Sequence, residues 1–439
     1  MNRTRTLDVR TGVLRGETAR SVLGNVGARV VALLSVAVVT VLVARVGGAD
    51  DVGLLALMRV LPGLVGVVAT CGLPGAMGFF VAGADSNHSG LWPTTTALMV
   101  LGGALGTGAW LLLTPLVHEH LMGTTTSVVV LATGATVATQ LPLAVGKSCL
   151  QALGDPRGSN VVTAAEEAVF VPAFLALWGL GLSGGPLLVA ALLLADVVVA
   201  AYAWVRVAHR VHDRDGRLTG RPDPGLARRM AAFGARSQVG GILSLLNLRL
   251  DVVVLGALTG PAQVGVYVVA SKYAELLRLP GLALTWVTYP KFAARRGGAW
   301  HDEWLRVGRL LALGAAAAAL VASGAALVLP MAYGELFRDA VWPAVWISVG
   351  LVLQPAAGVG SGYLLGTGRP GLSSLVLGGG FVVTLVLDLL LIPRHGSLGA
   401  AWASAVAYLV TDVLLVGAWR RLSGVTRPSG HPGLSGRHA

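Results

Sequence analysis

Charge is what this chain of 439 residues has least of: Asp, Glu, Lys and Arg together make up 12% of it, about half the share of an ordinary soluble domain. So little ionic surface cannot keep a chain of this length dissolved. The mean hydropathy of +0.73 and repeated apolar runs of about 20 residues indicate a polytopic membrane protein and exclude soluble enzymes and disordered chains. Cysteine is scarce too. Cys71 and Cys149 are the whole complement, both inside apolar runs, so neither a disulfide framework nor a cysteine metal site can be built, and redox chemistry has no support. The net charge of +12 is not read as a nucleic-acid surface, because the cations sort by membrane side.

The first 20 residues carry Arg3, Arg5, Arg10, Arg15 and Arg20 with no apolar core, the wrong order of parts for a cleaved signal peptide. They read as a cytoplasmic tail. Apolar stretches bounded by Gly, Pro or charge predict twelve spans, at about 21–44, 52–81, 91–116, 125–151, 158–181, 185–207, 231–258, 264–293, 305–329, 339–366, 371–393 and 397–419. Twenty-five of the 33 Lys and Arg then fall on the inner side, in the tail, in the connection from Arg206 to Arg236, and at Lys147, Arg157, Lys291 to Arg309, Arg369, Arg420, Arg421, Arg427 and Arg437. Only Arg45, Arg338 and Arg394 fall outside. The positive-inside rule therefore places both termini in the cytoplasm. The organisation expected is a basic tail over 1–20, a six-helix bundle over 21–207, a basic linker over 208–230, a second bundle over 231–419 and a polar tail over 420–439.

The two halves look alike. Val52-Gly53 recurs as Val264-Gly265, Pro142 as Pro355, and Leu150-Gln151-Ala152-Leu153-Gly154-Asp155-Pro156 as Leu364-Leu365-Gly366-Thr367-Gly368-Arg369-Pro370. Six spans per repeat give both halves the same orientation, related by an axis along the membrane normal, with a central cavity at their interface. That architecture favours a transporter.

Leu250-Asp251 through Val264-Gly265-Val266-Tyr267, Tyr289-Pro290, Gly366-Thr367-Gly368-Arg369-Pro370, and above all Leu387-Asp388-Leu389-Leu390-Leu391-Ile392-Pro393-Arg394-His395-Gly396-Ser397-Leu398-Gly399-Ala400-Ala401-Trp402-Ala403 resemble the polysaccharide-transport branch, the Wzx-type oligosaccharide flippases, of the multidrug/oligosaccharidyl-lipid/polysaccharide (MOP) exporter superfamily. That family commonly has Asn where Asp388 stands. The resemblance implies an all-α protein of two parallel six-helix bundles in the cytoplasmic membrane of a bacterium. It also implies alternating access that moves undecaprenyl-pyrophosphate-linked sugar units to the outer leaflet for cell-envelope polysaccharide, beside polymerase machinery, with no catalytic residues.

Five cations, Arg29, Arg59, Arg249, Lys272 and Arg278, fall inside predicted spans, where an unpaired charge costs a few kcal/mol. At the helical rise of about 1.5 Å per residue, Arg59, Lys272 and Asp251 share a depth about 10 Å below the outer ends of their spans and are expected to meet. Arg29 lies about 14 Å in from the cytoplasmic end of the first span. Arg59 and Lys272 are within one residue of repeat-equivalent positions, and two cations facing one cavity suit a diphosphate. In the related lipid II flippases, cavity cations on helices 1, 2 and 8 matter, so the resemblance too assigns Arg29, Arg59 and Lys272 to the substrate. The plainer reading pairs Arg59 and Lys272 with Asp251 and Glu275 to hold helices together. Lys272, Glu275 and Arg278, three apart, read as a self-compensating ladder or, with Asp251, as the seat of H+ or Na+ coupling. Asp196, Asp388 and Asp412 read as satisfied structural groups, and Glu166 and Glu167 as helix-entry residues. Pro142 and Pro355 are the hinge candidates.

A lipid II flippase and an ion-coupled drug or metabolite antiporter compete with this reading. A membrane glycosyltransferase or polymerase does so less, because the outer loops of about ten residues leave no room for an acceptor site. Asp50-Asp51, a metal-binding pair for such an enzyme, sits in a loop that resembles the family's ordinary short connection, and His118-Glu119-His120 lack a third anchored ligand for a metal.

Overall fold

The computed structural model describes residues 11–83, 89–212, 220–282, 284–285, 288 and 301–425. The Tyr289-Pro290 motif, Arg3, Arg5, Arg10, Arg214, Arg217 and the end of the C-terminal tail lie outside the described residues. The described chain is all helix and turn. In order it forms α1 (Thr11–Ala69), α2 (Leu73–Ala82), α3 (Leu91–His120), α4 (Ser127–Thr133), α5 (Ala135–Ala152), α6 (Pro156–Ala168), α7 (Phe170–Gly179), α8 (Gly184–His212), α9 (Pro224–Thr259), α10 (Pro261–Ala274), α11 (His301–Tyr333), α12 (Val341–Gly350), α13 (Gln354–Gly366) and α14 (Pro370–Val425).

Seven helical stretches among the described residues are long and apolar enough to cross a bilayer. Two of them, Gly27–Ala69 and Gly371–Leu422 at 43 and 52 residues, have about twice the length that a 30 Å hydrocarbon core requires. Each breaks at a glycine outside helical geometry, Gly48 and Gly396. Large apolar side chains such as Leu112, Leu180 and Leu320 stand exposed, as suits a multi-pass membrane protein whose outer surface meets lipid.

The predicted spans over 125–151 and 158–181 form single membrane-length helices, Ser127–Ala152 and Pro156–Gly179, whereas two others are interrupted. The span over 52–81 stops at Cys71 and Gly72, two consecutive left-handed residues, and a Cβ on Gly72 would fall on the carbonyl of Gly234. The helix over Ser127–Ala152 tightens by one turn at Gly134, which keeps helical dihedrals; there the Trp110 ring fills the space of a side chain, and its Nε1–H donates to the Val130 carbonyl at 2.8 Å. The helix over Pro156–Gly179 stays in helical geometry at Val169, where one hydrogen bond is lost because Pro172 has no N–H to give to the preceding turn. The span over 339–366 bends by 46° between Gly350 and Gln354, immediately before Pro355.

The chain divides into two compact units, Met1–Gly47 with Met58–Ile242, and Gly48–Leu57 with Leu243–Ala439. In the first, Leu73, Met77, Phe80 and Trp92 pack with Leu141, Cys149, Leu150, Val199, Ala203 and Val207. In the second, Ala356, Ala357, Tyr363, Val376, Leu415 and Trp419 form a corresponding core. Small residues carry the close helix contacts, as membrane bundles require.

The internal repeat is written into the backbone. Gly48 and Gly260 have φ of 76° and 84°, Gly154 and Gly368 both 74°, Gly184 and Gly396 58° and 55°. After α5 the Asp155 N–H reaches the Leu150 carbonyl at 2.8 Å, and after α13 the Arg369 N–H reaches the Leu364 carbonyl at 2.8 Å. This is the same six-to-one closure of a helix C-terminus around a left-handed glycine, followed each time by proline at the start of the next helix. Gly53 and Gly265 are equivalent as well. Within the second unit a Cβ on Gly53 would fall on the Pro261 carbonyl, and one on Gly265 on the Ala49 carbonyl, a reciprocal backbone-on-backbone contact.

Candidate functional site

In the first unit Arg59 is carried by the half of α1 beyond Gly48. Its Nη1 donates to Glu167 Oε2 at 2.6 Å, each side chain 25% exposed, and its guanidinium lies over the Phe170 ring, 5.3 Å from the centroid. Lys147 on α5 pairs with Glu166 at 2.9 Å. Thr139 donates to the buried Asp196 of α8 at 2.9 Å, and Asp196 lies in the fields of Arg59, Glu166 and Glu167. Arg29 stands exposed on α1 and among the described residues has no ion pair or hydrogen bond.

In the second unit Lys272 of α10 donates to Glu275 at 2.9 Å, the two side chains 21% and 24% exposed, with Arg278 and Arg249 adding their fields at Glu275. Asp251 of α9 is buried; it accepts the Tyr267 hydroxyl and, at 2.8 Å, the Val252 N–H. Tyr267 shares a 2.9 Å contact with Ser404 of α14. Arg249 is half-buried. Arg278 lies 5.3 Å from the Tyr408 ring centroid and lines a cavity of about 170 Å³ together with Gln354 and Asp412.

These positions redraw the sequence-based pairing. Asp251 is bound by Tyr267, and Arg59 takes Glu167, a residue read from sequence only as a helix entry. The Lys272 to Glu275 pair follows the three-residue spacing. Asp388 and Asp412 are not the satisfied groups expected: among the described residues both Asp388 oxygens and Asp412 Oδ2 are buried without a hydrogen bond, while Asp412 Oδ1 accepts from Gln354 at 3.0 Å. Asp388 is completely buried in the field of Asp251. No local signal marks Glu167 or Gln354, since their partners come from more than 50 residues away. Of the hinge candidates, Pro355 adjoins the 46° bend, whereas Pro142 lies inside α5 with its carbonyl accepting Trp204 Nε1 at 2.9 Å.

The arrangement is a membrane bundle holding cations in compensated pairs, with buried carboxyls beside them. Residues 19–294 match the family described as polysaccharide biosynthesis protein. The chain belongs to that family. Its fold is that of the MOP superfamily: it is similar to an inward-facing multidrug resistance MATE family transporter, at 18% identity and a TM-score of 0.71 over 91% of this chain and 96% of that one. It is also similar to the lipid II flippase MurJ in an inward closed conformation, at 11% identity and a TM-score of 0.69 over 93% and 90%. A third likeness is to a MOP superfamily transporter from Pyrococcus furiosus whose binding pocket is described as reversed in polarity, at 16% identity and a TM-score of 0.55 over 91% and 96%. No protein of curated function matches.

Proposed function

We propose that the chain is a non-enzymatic flippase that carries undecaprenyl-pyrophosphate-linked oligosaccharide units from the inner to the outer leaflet of a bacterial cytoplasmic membrane by alternating access. In this reading it has twelve spans, two six-helix bundles over 21–207 and 231–419 joined by the basic linker 208–230, and both termini in the cytoplasm. It works beside a polysaccharide polymerase. One observation carries the reading within this family: the repeat-related cations Arg59 and Lys272 are each stored against one partly buried glutamate. A lone carboxylate makes such a cation tolerable in a low-dielectric bundle. A diphosphate brings more charge and more acceptor oxygens than a carboxylate and displaces it. Arg29, exposed and without a carboxylate among the described residues, is the first contact. Asp251 and Asp388, two buried carboxyls in each other's field, are the seat of H+ or Na+ coupling, with Glu275, Arg249 and Arg278 setting the surrounding potential. The likeness to a MATE transporter supports antiport of a small solute as the second reading.

The deciding experiment is flipping of a labelled undecaprenyl-pyrophosphate oligosaccharide in proteoliposomes, comparing the unaltered chain with Arg29→Ala and Arg59→Ala at matched reconstitution. Transport that drops at least tenfold in both variants supports the diphosphate site. Undiminished transport assigns those arginines to packing, and no transport by the unaltered chain, with ion-driven efflux of a cationic dye instead, selects the antiporter.

A further inference from the structure

On the second unit, at the end that the charge distribution assigns to the outside, three helix connections meet: residues 259–263, 334–341 and 396–398. Between them opens a cavity of about 570 Å³ lined by Gln263, Arg338, Asp339, Trp342, Pro343 and Ser397, within the 300–1,000 Å³ typical of small-molecule sites. Trp342 is 65% exposed. Gln263 is locked, its Oε1 accepting the Ser397 N–H at 3.1 Å beside the left-handed Gly396, which leaves the amide nitrogen as a donor. Arg338 is held by Glu335 at 2.9 Å. Asp339 is exposed and, among the described residues, enters no ion pair or hydrogen bond.

We propose that this cavity binds a saccharide, the sugar portion of the carried lipid after it has crossed; the inference rests on the flippase reading given above. The lining selects by chemistry. A phosphate would meet Asp339 and Glu335 as well as Arg338, and an acyl chain would strip water from Asp339 and Arg338 without replacing their hydrogen bonds. A polyhydroxylated ring satisfies all the groups at once. Its C–H face covers the exposed indole, its hydroxyls donate to the Asp339 carboxylate, and its oxygens accept from the Gln263 amide and the Arg338 guanidinium. An interfacial tryptophan alone would need no such acceptors and donors around it.

The test uses the full chain in lipid nanodiscs against an array of soluble bacterial repeat-unit oligosaccharides that carry neither lipid nor phosphate. The expected result is binding of at least one oligosaccharide, weakened tenfold or more by Trp342→Ala and by Asp339→Asn, retained by Trp342→Phe, and unchanged by Gly108→Ala, whose Cβ meets open space. Absence of binding, or binding indifferent to Trp342→Ala and Asp339→Asn in variants with unaltered thermal midpoints, overturns the site. Flipping of the lipid-linked substrate, measured in parallel, separates the two proposals. Transport with no pocket-dependent binding removes only this inference, and pocket-dependent binding without transport removes the flippase reading and with it the carried lipid as the source of the sugar, while the saccharide site stands.

Discussion

Arg59 and Glu167 form their pair inside a bundle where each would be costly alone, and the pair is close enough to neutral to be stored there. Glu167→Gln removes the competing charge and keeps the shape. We expect it to lower the half-saturating concentration of undecaprenyl-pyrophosphate oligosaccharide about tenfold in the flipping assay, against the loss expected of Arg59→Ala; equal half-saturation in Glu167→Gln and the unaltered chain would assign the pair to packing. Asp155 tells a different story, outside the bilayer. It caps α6 through the Gly158 N–H at 3.0 Å and takes Arg206 at 2.6 Å and Arg210 at 3.4 Å. Burial pushes its carboxyl up, but the hydrogen bonds from Arg206, the Gly158 amide and Arg210 outweigh it and hold the group down at about 2. A depressed carboxyl contributes stability that is complete above its unfolded value near 3.8 and fades as the pH falls through about 2. Asp155→Asn should therefore cost about 2 kcal/mol at pH 6 and nothing below pH 2, read as converging thermal midpoints in detergent; parallel midpoints across that window would rule the linkage out.

At the scale of elements, small residues decide where helices cross. Gly53 and Gly265 sit where a Cβ would strike a carbonyl of the equivalent segment, and backbone cannot step aside as a side chain can. Gly53→Ala or Gly265→Ala is expected to destabilise by about 2 kcal/mol. By contrast Gly108→Ala, with open space around its Cβ, should be neutral or stabilising by about 0.5–1 kcal/mol. Thermal midpoints that fall equally in all three variants would mean the contact is not specific. Helix interruptions belong to this scale too. Pro355 announces the 46° bend in the sequence, whereas the tightened turn at Gly134 accompanies the Trp110 ring arriving from α3, which no local pattern contains.

For the whole molecule the charge asymmetry makes the sharpest prediction. In a Cys71→Ser, Cys149→Ala background, Arg338→Cys and Arg394→Cys should react with a membrane-impermeant maleimide added to intact cells. Arg214→Cys and Arg369→Cys should react only after permeabilisation. The reverse pattern would invert the topology and move the saccharide cavity to the cytoplasmic side.

The membrane class, the all-helical fold and the repeat were legible in the chain itself, because hydropathy over some 20 residues and a left-handed glycine before a proline are local properties that need no partner. The charged residues were legible as candidates on the same ground, since any ion within an apolar run stands out. Who pairs with whom was not. Glu167 reaches Arg59 across 108 residues, Tyr267 takes Asp251 from the next helix, and Asp388 is left without a hydrogen-bonding partner among the described residues. Spacing along one helix predicts a pair only when both ions ride on it, as Lys272 and Glu275 do. Pairing between helices depends on their rotation and depth, and those are set by the packing of glycines and aromatic rings that only the tertiary structure brings together.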